Sequence, residues 1–354
     1  MKKHLLSLLL FSVVMPALSQ RSTTTKQTRM YAVAFYNVEN LFDTIHDEGK
    51  NDYEYLPGGT YRWDSEKYRA KLANLSRAIA DIATDVLPKD GAAVVGLAEV
   101  ENSRVLGDLV DQLPLSDRDY RFVHHEGPDR RGIDCALLYN PHMFTPSASR
   151  LVGFRFEPQD TGRTTRGFLV VSGKLAGDPV SFVVCHWPSR LGGREASERL
   201  RISAARQVRA IKDSLLSLVP QPKVFVMGDM NDDPSDRALA EGIPSAYELS
   251  EVADSCMYNP WRNVLEYQGV GTLSFRGRWN LFDQILLSPN LLSVGGKADY
   301  SSLCYYRCQV VKRDYLTNGD GPFKGTPRRT STRNAWLNGY SDHFPVVVYL
   351  MKRK

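Results

Sequence analysis

Nine strand-like runs recur along the chain, and only two long amphipathic helices interrupt them. The runs are Met30–Tyr36, Ala92–Ala98, Tyr120–His124, Ile133–Tyr139, Phe168–Ser172, Val180–Cys185, Lys223–Met227, Gln284–Leu287 and Pro345–Leu350. Short turns join most of them. That pattern favours two mixed β-sheets packed face to face with helices outside, an α/β four-layer sandwich, over a doubly wound parallel sheet. One helix is expected over Ser65–Val86, where Tyr68, Leu72, Leu75, Ile79 and Ile82 recur at spacings of three and four. A second is expected over Ala196–Leu218, through Leu200, Ile202, Ala205, Val208, Ile211 and Leu215, and a shorter one over Arg104–Gln112. The 354 residues are 42% hydrophobic, enough for one large core. The chain shows neither a repeat nor a low-complexity linker, so residues 30–352 are read as a single domain.

The N-terminus has a different logic. Lys2 and Lys3 precede an apolar run, Leu5 to Val14, followed by Pro16 and Ala17-Leu18-Ser19. This is the pattern of a secretory signal peptide, residues 1–19, with cleavage expected after Ser19. The run is short for a bilayer span. No cysteine lies near the cleavage site, so neither a membrane anchor nor a lipid anchor is expected. Residues 20–29, polar and Thr-rich, read as a flexible lead-in. The mature protein is expected to be secreted or periplasmic, and a monomer. Losing Lys2 and Lys3 takes the formal charge from +5 to +3, which is compatible with a polyanionic substrate without demanding one. The cysteines, at 135, 185, 256, 304 and 308, are odd in number. Cys304 and Cys308 could pair in an oxidising compartment.

Polar residues interrupt these runs at matching places. Met30–Tyr36 ends at Asn37-Val38-Glu39-Asn40, Ala92–Ala98 at Glu99, Val180–Cys185 at His186, and Lys223–Met227 at Gly228-Asp229. Two strands begin with polar groups instead: Asp283 before Gln284, and Asp342-His343 before Pro345. The end of one strand lies beside the start of its antiparallel neighbour. All six places can therefore share one rim, collecting Asn37, Glu99, His186, Asp229, Asn231, Asp283, Asp342 and His343. Asp229 and Asn231, two apart, would point to one side. A polar turn explains any one of these places, but not six at matching strand ends. An EF-hand starting at Asp229 fails, because Pro234 and Ala240 stand where the loop needs Gly and Glu.

Carboxylates, a carboxamide and water suit magnesium or manganese, and with them hydrolysis of a phosphate ester. The sequence offers no Cys-rich or closely spaced His pair for zinc, and no Gly-x-Ser-x-Gly elbow for a serine esterase. Two segments read as insertions and, in the first instance, as surface loops: Thr44 to Trp63, and the basic stretch Lys312 to Asn338.

The ordered series YNVENLFD (Tyr36–Asp43), GLAEVEN (Gly96–Asn102), RGIDCALLYNP (Arg131–Pro141), CHWPSR (Cys185–Arg190), GDMNDDP (Gly228–Pro234), FDQILLS (Phe282–Ser288) and GYSDHFPV (Gly339–Val346) resembles the motifs of the endonuclease/exonuclease/phosphatase superfamily. Within it, the chain is most similar to exported bacterial nucleases of the pancreatic-deoxyribonuclease-like kind. The resemblance implies a divalent metal, Mg2+ or Mn2+ with room for an additional Ca2+, and a nucleic acid substrate, DNA first. Glu99 resembles the principal metal ligand, with Asn37 and Asp342 in support. Asp229 and Asn231 resemble the pair that positions the attacking water and a phosphate oxygen. His343 resembles the histidine on the scissile phosphate, oriented by Asp283, and His186 the second histidine of the deoxyribonuclease-like branch. Arg190 is a candidate phosphate ligand, and Asp134 a candidate to orient His186. The same superfamily holds phosphoinositide phosphatases and sphingomyelinases, so a lipid phosphodiester is the rival substrate. An inactive binding module is the rival from another class, disfavoured because every motif carboxylate and both histidines are present.

Overall fold

The computed structural model describes residues 27–160, 162–293, 299–332 and 335–353. Both the expected signal peptide and most of the lead-in lie outside these residues. The strands are β1 (Thr28–Leu41), β2 (Val94–Val100), β3 (Arg121–His124), β4 (Asp134–Tyr139), β5 (Phe144–Val152), β6 (Phe168–Leu175), β7 (Asp178–His186) and β8 (Lys223–Asp229). They continue with β9 (Ser245–Ala246), β10 (Met257–Tyr258), β11 (Leu273–Phe275), β12 (Arg278–Asn280), β13 (Asp283–Leu287), β14 (Cys304–Val310), β15 (Ser331–Thr332), β16 (Ala335–Trp336) and β17 (Val346–Arg353). One sheet has the order β14-β17-β1-β2-β4-β3 and the other β5-β6-β7-β8-β13-β10-β9. Both are mixed: β1 runs parallel to β2 and β7 parallel to β8, among antiparallel neighbours.

The sheets pack through inward rows such as Phe144, Phe182 and Phe225, whose rings meet at 5.3 and 5.1 Å between centroids. Gly96 lies in this interface, where a Cβ would come within 2.6 Å of Met227 Sδ. Its absence lets β2 and β8 approach closely just below the strand ends. Helices α1 (Ser65–Asp81) and α2 (Ser103–Val110), followed by the short α3 (Leu113–Ser116), pack against the first sheet. Helix α4 (Arg194–Leu216) covers the second, laying Ala204, Ala205 and Val208 on Val183, Val224 and Val226. A shorter α5 (Trp261–Glu266) follows. The expected layers are therefore present. Leu72, Leu75 and Ile79 are all buried, and each such side chain contributes about 1.5–3 kcal/mol.

Local chemistry sets the boundaries. Asp64 caps α1 by accepting from the Glu66 and Lys67 N–H groups. The helix stops at Asp81, five residues short of the Val86 end expected from periodicity. The Asp81 carboxylate is held by Tyr315 Oη at 2.6 Å and Arg313 Nε at 3.0 Å, and Ala83 turns left-handed at φ 67°. Sequence periodicity missed β5 and β14, each an edge strand with mostly half-buried or exposed residues and a bulge. The Cys304–Cys308 pairing that the sequence allows does not form, and both thiols are free. Four residues along a strand separate Cα atoms by roughly 13 Å, about twice the reach of a disulfide.

The two insertions are more than surface loops. Trp63, from the first, is buried and lies edge-on to Trp336, from the second, with 5.5 Å between ring centroids. Lys71 of α1 donates to Tyr340 O at 2.7 Å and to Thr330 Oγ1, tying the second insertion to the helix.

Candidate active site

Register brings the expected rim together. In the second sheet His186 stands opposite Asp229 across the parallel β7–β8 pair, and Asp283 opposite Asp229 across the antiparallel β8–β13 pair. In the first sheet a bulge spans Ala98 to Val100, with Glu99 left-handed at φ 67°. A bulge of this kind re-aims its side chain. The Glu99 carboxylate accepts from Asn40 N at 3.0 Å, leaving Oε1 3.9 Å from His186 Nε2.

Asp229 is the hub. Its Oδ2 accepts from Asn37 Nδ2 at 3.0 Å and lies 3.6 Å from His186 Nε2 and 4.0 Å from His343 Nε2. Its Oδ1 accepts from Asn231 N at 2.9 Å, while Asn231 Nδ2 donates to Trp187 O at 3.0 Å. His343 Nδ1 meets Asp283 Oδ2 at 2.7 Å, and His343 Nε2 is 3.9 Å from Asp342 Oδ1. Glu99, Asn37, Asp342, Asp229, Asn231, His186, Asp283 and His343 thus form one connected cluster. The backbone is left-handed at Glu39, Asn40, Glu99 and Asn231, a concentration of non-glycine positive φ on this rim.

Electrostatics divides the two histidines. Burial alone would lower the His343 pKa. The Asp283 charge and hydrogen bond, with Asp342 and Asp229, outweigh it and hold the pKa well above the usual value. His343 is therefore an imidazolium at neutral pH. Burial pulls His186 well below the usual value, and the charges of Arg166, Arg131 and His343 push the same way. His186 is therefore neutral. Burial raises Asp229 to about 6; the His343 charge opposes this, and Asp283 adds to it.

Two expected roles change. Arg190 donates from Nε to Asn231 O at 2.8 Å and from Nη2 to Asp232 and Asp236 at 3.1 and 2.7 Å, with its guanidinium over the Phe282 ring. These contacts brace the loop after β8 and commit Nε and Nη2 to protein oxygens. Asp134 does not orient His186: its carboxylate accepts from Gly127 N at 3.0 Å and lies 3.4 Å from His124 Nε2.

Beside the cluster, sequence reasoning missed Glu39 and Lys71. The buried Glu39 accepts from Arg329 Nε at 3.0 Å and Thr330 N at 2.6 Å, and Arg329 reaches Asp342 at 3.3 Å. Burial pushes Glu39 up to about 7, with Asp342 adding and Lys71 and Arg329 opposing. Burial lowers Lys71 to about 8 against the pull of Glu39, Asp342 and Glu99. The signal for Lys71 was present: it stands on the apolar stripe of α1, between Tyr68 and Leu75.

The residues fit a hard divalent cation. Glu99 and Asp342 offer carboxylate oxygens, Asn37 Oδ1 accepts from Glu39 N while its Nδ2 faces Asp229, and neighbouring carboxylates help to raise Asp229 and Glu39, an excess of negative charge that a cation would relieve. Asp229, Asp283 and His343 also bring ligand atoms within 4.8 Å of one another. Asp283 Oδ2 is hydrogen-bonded to His343 Nδ1, and His343 Nε2 faces Asp229 Oδ2 across 4.0 Å, so the trio is a carboxylate–imidazole pair facing a second carboxylate.

The sequence matches the model of the endonuclease/exonuclease/phosphatase family over residues 32–352. A search of curated proteins finds no match. Among solved structures, the chain is similar to an endonuclease/exonuclease/phosphatase family protein from Bacteroides thetaiotaomicron, with TM-score 0.54 and 18% identity over 93% of this chain and 97% of that one. It is similar to a mannosyl-6-phosphatase of the same organism, with TM-score 0.52 and 19% identity over 90% and 99%. It is also similar to D. rerio TDP2 complexed with a single-strand DNA product, with TM-score 0.52 and 14% identity over 91% and 98%. At these identities the likeness shows a shared fold.

Proposed function

The chain belongs to the endonuclease/exonuclease/phosphatase family, and on that premise we propose that it is an exported, divalent-metal-dependent phosphodiesterase that cleaves nucleic acid, DNA first. The observation that carries this reading is the His343–Asp283 hydrogen bond facing Asp229, with His186 on the other side. Two histidines held in opposite protonation states around one carboxylate suit cleavage of an ester whose transition state gathers charge on non-bridging oxygens.

Each side chain then has a task. His343, fixed through Nδ1, presents Nε2–H to a phosphoryl oxygen and stabilises the charge that develops there. Asp229, raised to about 6 yet largely ionised at neutral pH, takes the proton of the attacking water. Asn37 and the Asn231 backbone fix the orientation of that carboxylate. His186 supplies a neutral hydrogen-bonding nitrogen beside it. Glu99, supported by Asn37 and Asp342, would hold the metal. Bound magnesium or manganese supplies neutralisation of phosphoryl-oxygen charge.

The family hydrolyses phosphoesters of several kinds, so substrate class is the point to test. Export rests on the N-terminal sequence; among the described residues no helix is long and apolar enough to cross a membrane. The mature protein should be assayed with magnesium against plasmid DNA, RNA, sphingomyelin, phosphoinositides and mannose 6-phosphate in parallel. DNA cleavage abolished by EDTA is the expected result. Turnover of a lipid or sugar phosphate with no cleavage of DNA or RNA would refute the reading.

A further inference from the structure

The two insertions build a feature that hydrolysis alone does not need. Phe42, Tyr55 and Tyr61 stack in series, with centroids 4.2 and 4.8 Å apart. Trp63 is pinned by its Nε1–H to Phe42 O at 2.9 Å and backs onto Trp336. Around them lies a pocket of about 480 Å³ walled by Thr60, Tyr61, Arg62, Thr332 and Trp336. An adjoining cavity of about 110 Å³ shares Tyr61, Trp63, Ser331 and Thr332 and is lined by Glu39, Asn40 and Arg329. Asn40 donates to Glu99, and Arg329 pairs with Asp342. The inner end of the groove is therefore walled by residues that contact the carboxylates assigned to the metal, and its outer part is walled by the half-buried rings of Tyr61 and Trp336.

We propose that this groove receives one unpaired nucleobase of the nucleotide beside the scissile phosphate, so that the enzyme prefers single-stranded to duplex nucleic acid. The inference rests on the nuclease reading above. Tyr61 and Trp336 provide ring surface, and a base stacks on an aromatic ring with little regard to its identity. The hydroxyls of Thr60, Ser331 and Thr332 can satisfy the polar edge of the base. Lys67 Nζ donates to Tyr61 O and Arg62 O at 3.0 and 2.7 Å and so holds this wall in place. The exposed Arg62 at the mouth and Arg329 at the inner end suit the flanking phosphates. A base inside a duplex has both faces covered and its edge paired, and it must be extruded at a cost before it can enter a concave pocket. A single strand avoids most of that cost.

The test is equilibrium binding, by fluorescence anisotropy at low salt, of three labelled ligands: oligothymidylate, an abasic strand of the same length and backbone, and a duplex. Wild type should bind oligothymidylate about tenfold more tightly than the abasic strand, and more tightly than the duplex. Tyr61→Ala and Trp336→Ala should each shrink the difference between oligothymidylate and the abasic strand while leaving abasic binding unchanged. Equal binding of oligothymidylate and the abasic strand by wild type would overturn the inference. Variants that weaken both strands by the same factor would overturn it as well. In either case DNA cleavage would leave the nuclease reading standing. Failure to bind any strand, with turnover of a lipid or sugar phosphate, would remove both.

Discussion

Replacing Asp283 by Asn keeps the shape of the side chain and removes its charge. Asp283 is fully buried, and among the described residues its side chain has one hydrogen-bond partner, His343 Nδ1, at 2.7 Å. With charge centres about 4 Å apart and an effective dielectric of about 20, the pair is worth about 4 kcal/mol of Coulomb energy. That attraction opposes the burial that would otherwise neutralise His343. Without it, burial should win and the ring should be neutral at pH 7. An amide oxygen can still accept from Nδ1–H, so the ring keeps its place and loses its charge. Losing a charged donor to the transition state costs about 10²–10³ in kcat. The sign follows from the raised pKa. The charged pair contributes full stability below the unfolded pKa, and that contribution is lost as pH rises through the folded one. The alkaline fall of wild-type kcat should therefore lie above neutrality and move to lower pH in Asp283→Asn. The assay is the pH–rate profile for wild type, Asp283→Asn, His343→Ala and the double variant. Losses in the double variant should be far from additive. An unmoved alkaline limb, or additive losses, would refute the pairing.

Glu99→Gln keeps the hydrogen bond to Asn40 N but removes the charge assigned to the metal; activity should fall at least about 10²-fold, and magnesium should no longer raise Tm. Arg190→Ala should cost only about 1.5 kcal/mol in chemical denaturation, because Asp232 keeps its ion pair with the buried Arg201 and Asp236 keeps Arg194. The dependence of DNA binding on salt should be unchanged, which a phosphate contact would not allow. Lys71→Met should destabilise by about 1–3 kcal/mol, because Thr330 Oγ1 and Tyr340 O lose their buried charged donor while Glu39 keeps Arg329 and Thr330 N; a change below about 0.5 kcal/mol would mean that the buried network is not coupled.

The rim was legible because apolar runs stop at polar residues, and a strand must end where its side chains can no longer be buried on both faces. Asp229, Asp283 and His186 could thus be placed together before any coordinates. The edge strands β5 and β14 could not, since an edge strand buries little and its bulges break the alternation that reveals it. The bracing contacts of Arg190 escaped the sequence for a related reason. A cation beside a phosphate and a cation beside Asp232 and Asp236 have the same local sequence, and only the tertiary fold decides between them. The junction of the insertions at Trp63 and Trp336 joins residues 273 positions apart, and no local pattern encodes it.

The left-handed rim has a consequence for how this protein would respond to selection. A non-glycine residue in that conformation costs about 1 kcal/mol or more, and Glu39, Asn40, Glu99 and Asn231 all adopt it. Glycine at any of the four would relax the backbone while erasing or loosening the chemistry. A library screened for heat resistance alone should therefore enrich Glu99→Gly and Asn231→Gly, giving robust but inactive proteins. Heat tolerance and turnover would have to be selected together to keep the site.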